Sequence, residues 1–428
     1  MLKPDNASYR WVVLSVAFIT LVLGYAIRNS FSVFYPTIVS EFGWKRGDTA
    51  LIFSFSIIIY GLIAPLAGGL VDRFRPRVIL PIGAVLMGGG AALCSRATTQ
   101  WEFYLFYGVM VAAGLSLAGW TPLTTIVSRW FVKKRGLAYG IMTAGFGGSL
   151  VYASVAQYLI STFGWKAAYI IIGGSSMTII ATLCGLFMRR SPKYTTITPD
   201  DKTESPQNVD KQYEKRSADS LRQKWAETDW TLSRALRTYQ FWLLVFVGFF
   251  LLGIAEHIII AHQVYFFLDA GYRPMLAANI YSMFGIAFLL GNICSFFSDR
   301  LGREKIFMPG CLLCAVSVIL LFFIEDASRP WLGFLSSGLF GLGMGLAAPV
   351  FFTIVADLFS GRYFGSIQGT VIFGFSFGGA FSPWLAGFLH DKTGSYNSTY
   401  LILLVSLLLC ILLMRLIAPH KIKPVLTS

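Results

Sequence analysis

The sequence predicts an all-α membrane protein in which twelve transmembrane helices form two pseudo-symmetric halves of six. Three observations support this fold: an apolar composition, a series of long apolar segments and an internal repeat. The 428 residues are 55% hydrophobic and only 13% charged, with a mean hydropathy of +0.65. Soluble domains carry roughly 25% charged residues. The composition therefore excludes an ordinary soluble protein.

The second observation is a set of twelve apolar segments, each about 18 residues long or longer and poor in charge. Such segments cross a bilayer as helices, because a helix satisfies its own backbone hydrogen bonds. Six segments precede a long polar stretch and six follow it. The predicted helices cover residues 11–36, 48–70, 78–95, 101–127, 136–160, 166–188, 239–268, 275–297, 304–324, 330–356, 365–388 and 398–418.

The third observation is that the second half of the chain repeats features of the first half at a nearly constant offset. The pair at 72–73, Asp-Arg, returns at 299–300, and the pair at 23–24, Leu-Gly, returns at 252–253. Unrelated chance similarities would not share one offset. Two repeated halves that face each other are a common architecture of secondary transporters, which bind their substrate between the halves near the middle of the membrane.

The polar stretch divides the chain into three predicted regions. Residues 1–190 form an N-terminal six-helix bundle, residues 191–237 a cytoplasmic linker and residues 238–428 a C-terminal six-helix bundle. The middle of the linker is rich in Asp, Glu, Lys, Ser and Thr and has almost no large aliphatic residues, a composition that does not support a packed core.

The net charge of +14 could suggest a nucleic-acid partner, but its distribution favours a membrane orientation. With the N-terminus in the cytoplasm, the cytoplasmic segments hold 27 Lys and Arg residues and the opposite side holds 7. Because cytoplasmic loops carry the Lys and Arg excess, we expect a multi-pass protein of the plasma membrane (the inner membrane in a bacterium) with both termini cytoplasmic. The expected partner is the lipid bilayer, with no nucleic acid.

The sequence does not predict an enzyme. It contains no G-x-x-x-x-G-K-[ST] motif for nucleotide binding, no H-E-x-x-H metal motif and no convincing Ser/His/Asp set. We therefore expect no cofactor and no metal site, and ATP-driven transport is disfavoured.

Charged clusters follow the second helix of each half and predict a gate on the cytoplasmic side. A carboxylate at a helix end accepts hydrogen bonds from a neighbouring helix N-terminus, while arginines clamp the loop. Asp357, at the end of the tenth helix, is expected to join this gate near Arg362. The alternative is that the basic residues only anchor the loops to the cytoplasmic face. The predicted gating residues are Asp72, Arg73, Arg77, Asp299, Arg300, Arg303, Asp357 and Arg362.

The first of these clusters belongs to a longer motif. Residues 68–77, GGLVDRFRPR, resemble the signature between the second and third helices of the major facilitator superfamily. The second copy departs from it at Ser295, where the signature has a leading glycine, and the first copy at Arg75, where it has a second glycine. The resemblance extends over essentially the whole chain. It implies a transporter that works by alternating access.

Other segments resemble one branch of that superfamily. Residues 128–145 are similar to the fifth-helix signature of the monocarboxylate transporter family, and residues 24–34 with 41–44 to the first-helix region of its bacterial members. Residues 357–384 are similar to their tenth and eleventh helices. The related oxalate–formate exchangers use basic residues in helices 8 and 11, and helix 11 here has none. The family places an Asp and an Arg four apart in helix 8, where the Arg meets the substrate carboxylate; the matching positions here are Phe288 and Asn292.

Ionisable residues in the middle of a membrane helix cost at least ~2.5–3.5 kcal/mol on insertion scales and are functional candidates for that reason. Arg28 in helix 1 and His257 in helix 7 occupy equivalent positions of the repeat, 229 residues apart. A cation there would bind an anionic substrate through charge-assisted hydrogen bonds. The alternative is that Arg28 pairs with Glu256 or another buried acid and only joins the halves.

The same region supplies candidates for proton coupling. A buried carboxylate can hold a proton near neutral pH, which favours Glu256, followed by His257 and His262 because histidine titrates in that range. Aromatic residues share the faces of helices 1 and 7, with core packing as their default role. The predicted substrate-binding residues are Arg28, His257, His262, Asn292 and Tyr35.

These features together predict a secondary active transporter of a small organic anion, monocarboxylate-like, that is coupled to protons and functions as a monomer. The alternative within transport is a proton-coupled efflux antiporter for apolar or cationic compounds, since Glu256 is also a mid-membrane residue. A sensor without transport activity is a third class, but both copies of the gating motif are present.

Overall fold

The computed structural model describes residues 6–131, 135–189, 230–359 and 364–417. Within these residues, eleven helices are long and apolar enough to cross a membrane. The longest, Arg135–Phe187, is interrupted at Gly164, whose φ of 80° and ψ of 160° are non-helical. Glycine adopts such a positive φ readily, because it has no Cβ. That helix therefore contains two of the predicted spans, and the expected total of twelve is confirmed.

We number the spans 1 to 12 in chain order. Short helices at Leu232–Ala235 and Ser298–Leu301 lie between them. The spans are Asn6–Asn29 with Phe31–Phe42, Arg46–Arg73, Pro76–Cys94, Gln100–Phe103 continued to Trp120–Trp130, the parts of Arg135–Phe187 before and after Gly164, Tyr239–Gly248 continued to His257–Asp269, Pro274–Ser295, Arg303–Leu321, Pro330–Leu358, Phe364–Thr393 and Asn397–Ile417.

Three of these spans have an irregular backbone near their middle. Span 1 is broken at Ser30, whose hydroxyl donates to the Ile27 carbonyl (3.0 Å). Span 4 contains a π-helix at Tyr104–Val111, and span 7 contains one at Phe249–Glu256. π-Helical turns occur frequently at functional sites, because they change which carbonyls are free to accept hydrogen bonds.

The two halves approach each other closely where spans 5 and 8 cross. A Cβ added to Gly285 would lie 2.5 Å from the Gly147 carbonyl oxygen. Lipid provides no hydrophobic force between helices, so small residues that allow backbone contact hold such crossings together. On the same two spans, the Ser154 hydroxyl contacts the Ser282 hydroxyl (2.7 Å), and Ser282 also donates to the Val151 carbonyl (3.1 Å).

The halves are joined towards one end of the bundle. Because consecutive spans alternate in direction, the connections at 43–45, 270–273 and 394–396 lie opposite the end that holds Asn6 and Ile417; we call this the outer end. Several hydrogen bonds between the halves lie at the middle of the bundle and nearer the outer end. Examples are the bonds from the Trp384 amide to Ser54 and from the Tyr281 hydroxyl to the Asn29 carbonyl.

Candidate functional site

Arg28 lies in the middle of span 1, at the interface with the other half. Its side chain is 7% exposed. The guanidinium Nη2 is 2.9 Å from His257 Nε2 on span 7, so the two residues at equivalent positions of the repeat are in direct contact. Among the described residues, no carboxylate forms an ion pair with Arg28. A buried arginine without a bonded acid retains unused donors for an anion.

The hydrogen bonds of His257 determine its tautomer. Nδ1 is 2.7 Å from the Leu252 carbonyl oxygen. A carbonyl only accepts, so Nδ1 carries the proton and Nε2 accepts from Arg28. Leu252 belongs to the π-helix of span 7. The imidazole is thus held as a neutral acceptor for the guanidinium, with both of its nitrogens engaged.

Aromatic rings surround the Arg28 guanidinium on the N-terminal half. Its Cζ lies 5.5 Å from the ring centroid of Tyr60, 5.7 Å from that of Phe53 and 6.0 Å from that of Tyr25. These are distances at which a ring face attracts a cation. The rings therefore stabilise the positive charge without neutralising it, which leaves that charge available to an anion.

Glu256, the residue before His257, is also buried, with 7% of its surface exposed. Its carboxylate is near enough to Arg28 for their charges to interact, yet the two form no ion pair and no described group donates a hydrogen bond to the carboxylate. The direct Arg28–Glu256 pair, which the sequence left open, is therefore not formed in this conformation. Glu256 is instead a mid-span acid whose oxygens are free to bind a proton.

A second polar cluster closes the outer end of the bundle. Arg46, at the start of span 2, makes a bidentate ion pair with Asp269 at the end of span 7, with one of the two bonds at 2.8 Å. Its guanidinium also lies 3.7 Å from the ring centroid of Tyr265. The backbone amides of Arg46 and Gly47 donate to the Asp391 carboxylate at 3.2 and 2.7 Å. We call Arg46, Asp269 and Asp391 the outer cluster; it ties span 2 to spans 7 and 11.

His262 and Tyr35 belong to the surroundings of this outer cluster. His262 Nε2 donates to the Pro383 carbonyl (2.8 Å), and Nδ1 accepts from the Tyr396 hydroxyl (3.1 Å). The Tyr35 hydroxyl donates to the Arg46 carbonyl (2.7 Å), and its ring packs edge-on against His262. The structure thus brings these two predicted substrate-binding residues together with Arg46 rather than with Arg28, and their contact with substrate stays a prediction.

Asn292 lies on span 8, and its side-chain Nδ2 is buried without a hydrogen-bond acceptor in the described residues. An unpaired buried amide is costly, so this group is a candidate for contact with a ligand or with water. Phe288, one helical turn earlier, packs against Phe146 of the other half with ring centroids 5.4 Å apart. The two positions that match the Asp and Arg of helix 8 in the monocarboxylate transporter family are thus occupied by Phe288 and Asn292.

The predicted gate is described in part. Arg303 Nε donates to Asp357 (3.0 Å) and its Nη1 to Ser298 (2.8 Å), which links the start of span 9 to the end of span 10. Arg77 donates to the Leu186 carbonyl. Arg300 is exposed. The side chains of Asp72, Arg73 and Asp299, and all of Arg362, lie outside the described residues. The gating role of the whole set stays a prediction.

The outer cluster was missed from the sequence because Arg46, Asp269 and Asp391 lie at helix ends, where charges are ordinary. One signal was available: a charge stands at the outer end of spans 2, 7 and 11, which the repeat places around one interface. Among the described residues, no group of three or more His, Cys, Asp or Glu side chains could hold a metal ion.

Known proteins resemble this chain over nearly its whole length. The model of the Major Facilitator Superfamily matches residues 16–334 and 293–427. Monocarboxylate transporter 13 of Rattus norvegicus is 26% identical over 405 residues, covering 94% of this chain and 87% of that protein. Monocarboxylate transporter 12 of Homo sapiens is 27% identical over 417 residues, covering 94% of this chain and 78% of that protein.

A solved structure has the same fold. The inward-facing, unoccupied crystal structure of a bacterial homolog to the human lysosomal transporter Spinster matches with a TM-score of 0.66 at 17% identity, covering 99% of this chain and 97% of that one. Because the family model covers most of the chain, the protein is a multi-pass membrane transporter and not an enzyme, and the chain belongs to the major facilitator superfamily.

Proposed function

We propose that this transporter carries a small organic monoanion by secondary active, proton-coupled transport, and that Arg28 binds the anionic group. The observation that carries the proposal is the buried Arg28 guanidinium, which contacts a neutral histidine and three aromatic rings but no carboxylate of the residues that the structure describes. Burying an unpaired charge is costly, and a substrate carboxylate would compensate that cost through charge-assisted hydrogen bonds. The similarity to monocarboxylate transporters supports the same class of substrate.

Glu256 is the proposed proton carrier. Both nitrogens of His257 and both nitrogens of His262 are engaged in hydrogen bonds. Of the three predicted coupling residues, Glu256 alone has no hydrogen-bond partner for its side chain among the described residues, so proton uptake there breaks no hydrogen bond. Loss of the Glu256 negative charge would also strengthen the field of Arg28 for an anion. Proton binding and anion binding are therefore expected to favour each other, as symport requires.

The proposed transport cycle alternates access to Arg28 from the two ends. With both termini in the cytoplasm, as the charge distribution predicts, the outer cluster faces the exterior and closes that side in the described conformation. The outer cluster then has to open for substrate to reach Arg28 from outside. The charged residues at the inner ends of spans 2, 3, 8, 9 and 10, together with Arg362, are the proposed cytoplasmic gate. The 190/191 and 237/238 boundaries, the plasma-membrane location and a monomeric state belong to this proposal.

The second candidate is proton-coupled export of cationic or apolar compounds, and the unpaired Glu256 carboxylate favours it. A cation bound at Glu256 would lie next to Arg28, which would repel it. For this reason the anion is the preferred substrate.

The experiment that tests the proposal is uptake of radiolabelled monocarboxylates into proteoliposomes. Uptake of an organic anion that rises when the outside is made acidic, and falls when a protonophore dissipates the gradient, is the expected result. Uptake of organic cations in exchange for protons, with no anion transported, would contradict the proposal and support the export function.

A further inference from the structure

We infer that the substrate is a monocarboxylate whose organic part is an aromatic ring, clamped between the two halves by the rings of Tyr60, Phe146, Phe288 and Phe375. We call these four residues the ring clamp. This inference rests on the proposed anion-binding role of Arg28 and adds the chemical class of the rest of the substrate.

The charge of the site limits the substrate to one carboxylate. Arg28 is the only Lys or Arg in the middle of any predicted span. His257 offers no second positive charge to an anion, because its protonated Nδ1 is bonded to a carbonyl and its Nε2 is an acceptor. A second carboxylate on the substrate would lie among rings without a partner, and burial of an unpaired charge is strongly unfavourable.

The aromatic residues around Arg28 and His257 differ in how far they are exposed. Rings on the outer side of the site are sealed: Phe31, Tyr35 and Tyr107 are at most 2% exposed. Tyr60, Phe146 and Phe375, which lie near the middle of spans 2, 5 and 11, are only half-buried. Accessible aromatic surface therefore belongs to Tyr60, beside the guanidinium, and to Phe375 and Phe146, which pack against His257 and Tyr25.

The ring clamp draws on both halves. From the N-terminal half, Tyr25 packs edge-on against Phe146 with centroids 5.5 Å apart, and Phe146 meets Phe288 of the other half at 5.4 Å. From the C-terminal half, Phe375 packs against the His257 ring at 5.4 Å. Aromatic pairs prefer edge-to-face and offset contacts, which a flat substrate ring inserted among them can reproduce and an aliphatic chain cannot.

Two hydroxyls complete the carboxylate site. The hydroxyls of Tyr25 and Tyr60 are 3.3 Å apart and share one hydrogen bond. Two hydroxyl groups carry two protons, so one O–H remains for an oxygen of the substrate. Because both rings also face Arg28, a carboxylate bonded to the guanidinium lies beside this donor.

The test is calorimetric titration of the purified full-length protein with four related acids at pH 7: 3-phenylpropionate, 3-cyclohexylpropionate, propionate and phenylsuccinate. We expect 3-phenylpropionate to bind at least tenfold more tightly than propionate and roughly threefold more tightly than the cyclohexyl acid. The dianionic phenylsuccinate is expected to bind at least tenfold more weakly than 3-phenylpropionate. Equal affinities for the first three acids, or a preference for propionate or phenylsuccinate, would overturn the inference.

A matched pair of variants on span 11 localises the effect. Phe375→Leu is expected to weaken the binding of 3-phenylpropionate about fivefold and to leave the affinity for propionate unchanged. Phe373→Leu, at a 65% exposed residue two positions away, is expected to change neither affinity. An unchanged affinity of Phe375→Leu for the aromatic acid would contradict the ring clamp. If no acid binds but phenethylamine does, the proposed anion transport fails as well; if all monoanions bind alike, only the ring clamp fails.

Discussion

Arg28 and Arg46 are two arginines that join the same two halves of the molecule, and their partners are opposite in kind. Arg46 meets two aspartates and a tyrosine ring at the outer end. Arg28 meets a neutral histidine and aromatic rings in the middle. An arginine whose guanidinium is bonded to a carboxylate stabilises one conformation. An arginine without such a partner still has N–H donors and a positive charge with which to bind an anion. The comparison separates the part of the interface that closes the bundle from the part that recognises substrate.

The largest expected effect comes from removing the unpaired charge. Arg28→Gln is expected to reduce anion uptake into proteoliposomes at least about 30-fold, since a buried charge-assisted contact contributes about 2–5 kcal/mol. The control is Arg96→Gln, which removes an exposed arginine at the outer end. Uptake by Arg28→Gln at the wild-type rate and apparent affinity would remove Arg28 from the site.

Removing the paired arginine should have a different kind of effect. Arg46→Gln breaks the bidentate bond to Asp269, and hydrogen bonds between charged groups contribute about 1.5–3 kcal/mol, so the population open at the outer end should rise about tenfold. An impermeant maleimide applied from outside to Ser54→Cys would report this opening, because Ser54 is 1% exposed and the native cysteines are mostly buried.

The matched control for this labelling is Lys45→Gln, which neutralises the exposed neighbour of Arg46. We expect the labelling rate of Ser54→Cys to be the same with or without Lys45→Gln. A rate that does not change in Arg46→Gln would show that the outer cluster does not hold this end closed.

Neutralising Glu256 is expected to change the coupling of transport to protons and to leave the binding of the anion unchanged. Glu256→Gln cannot release a proton, so the variant is expected to lose accumulation driven by a pH gradient and to retain exchange of internal for external anion. In wild type, acidification outside should raise net uptake; in Glu256→Gln, uptake should be nearly independent of pH. Glu325→Gln, at an exposed outer loop, is the control. Gradient-driven accumulation that survives in Glu256→Gln would assign the proton to another group.

The smallest expected effect concerns the position of His257. A Cβ on Gly379 would lie 3.2 Å from the His257 ring, so Gly379→Ala should shift the imidazole by a few tenths of an ångström and weaken anion binding a few-fold. Gly89→Ala, where a Cβ meets no atom within 4 Å, should leave affinity unchanged. An equal effect of the two substitutions in a binding titration would indicate general destabilisation.

The fold was predictable because the lengths of the apolar segments and the repeat between the two halves can both be read directly from the sequence. The repeat also placed Arg28 and His257 at equivalent positions, and in the structure they are in contact. What could not be predicted was the partner of Arg28, because the alternative of a pair with Glu256 stayed open. In the structure the His257 ring is bonded to the Leu252 carbonyl, which lies in the π-helix of span 7, and no periodicity in the sequence records a π-helix.

The outer cluster was unpredictable for a related reason. Charged residues are common at the ends of membrane helices whether or not they form an ion pair, so their position does not indicate a partner. Arg46 and Asp269 lie 223 positions apart, and only the packing of span 2 against spans 7 and 11 brings their side chains together. His262 and Tyr35 were predicted near the substrate because they share helices with His257 and Arg28, but each helix extends far enough to reach the outer cluster as well.

The most direct test of the central claim is a calorimetric titration of wild type and Arg28→Gln with two ligands of matched shape and opposite charge, 3-phenylpropionate and phenethylamine. If the unpaired guanidinium of Arg28 binds the anionic group of the substrate, wild type binds the acid in preference to the amine, and Arg28→Gln loses that preference. Preferential binding of the amine by wild type, or an unchanged affinity of Arg28→Gln for the acid, would contradict the account.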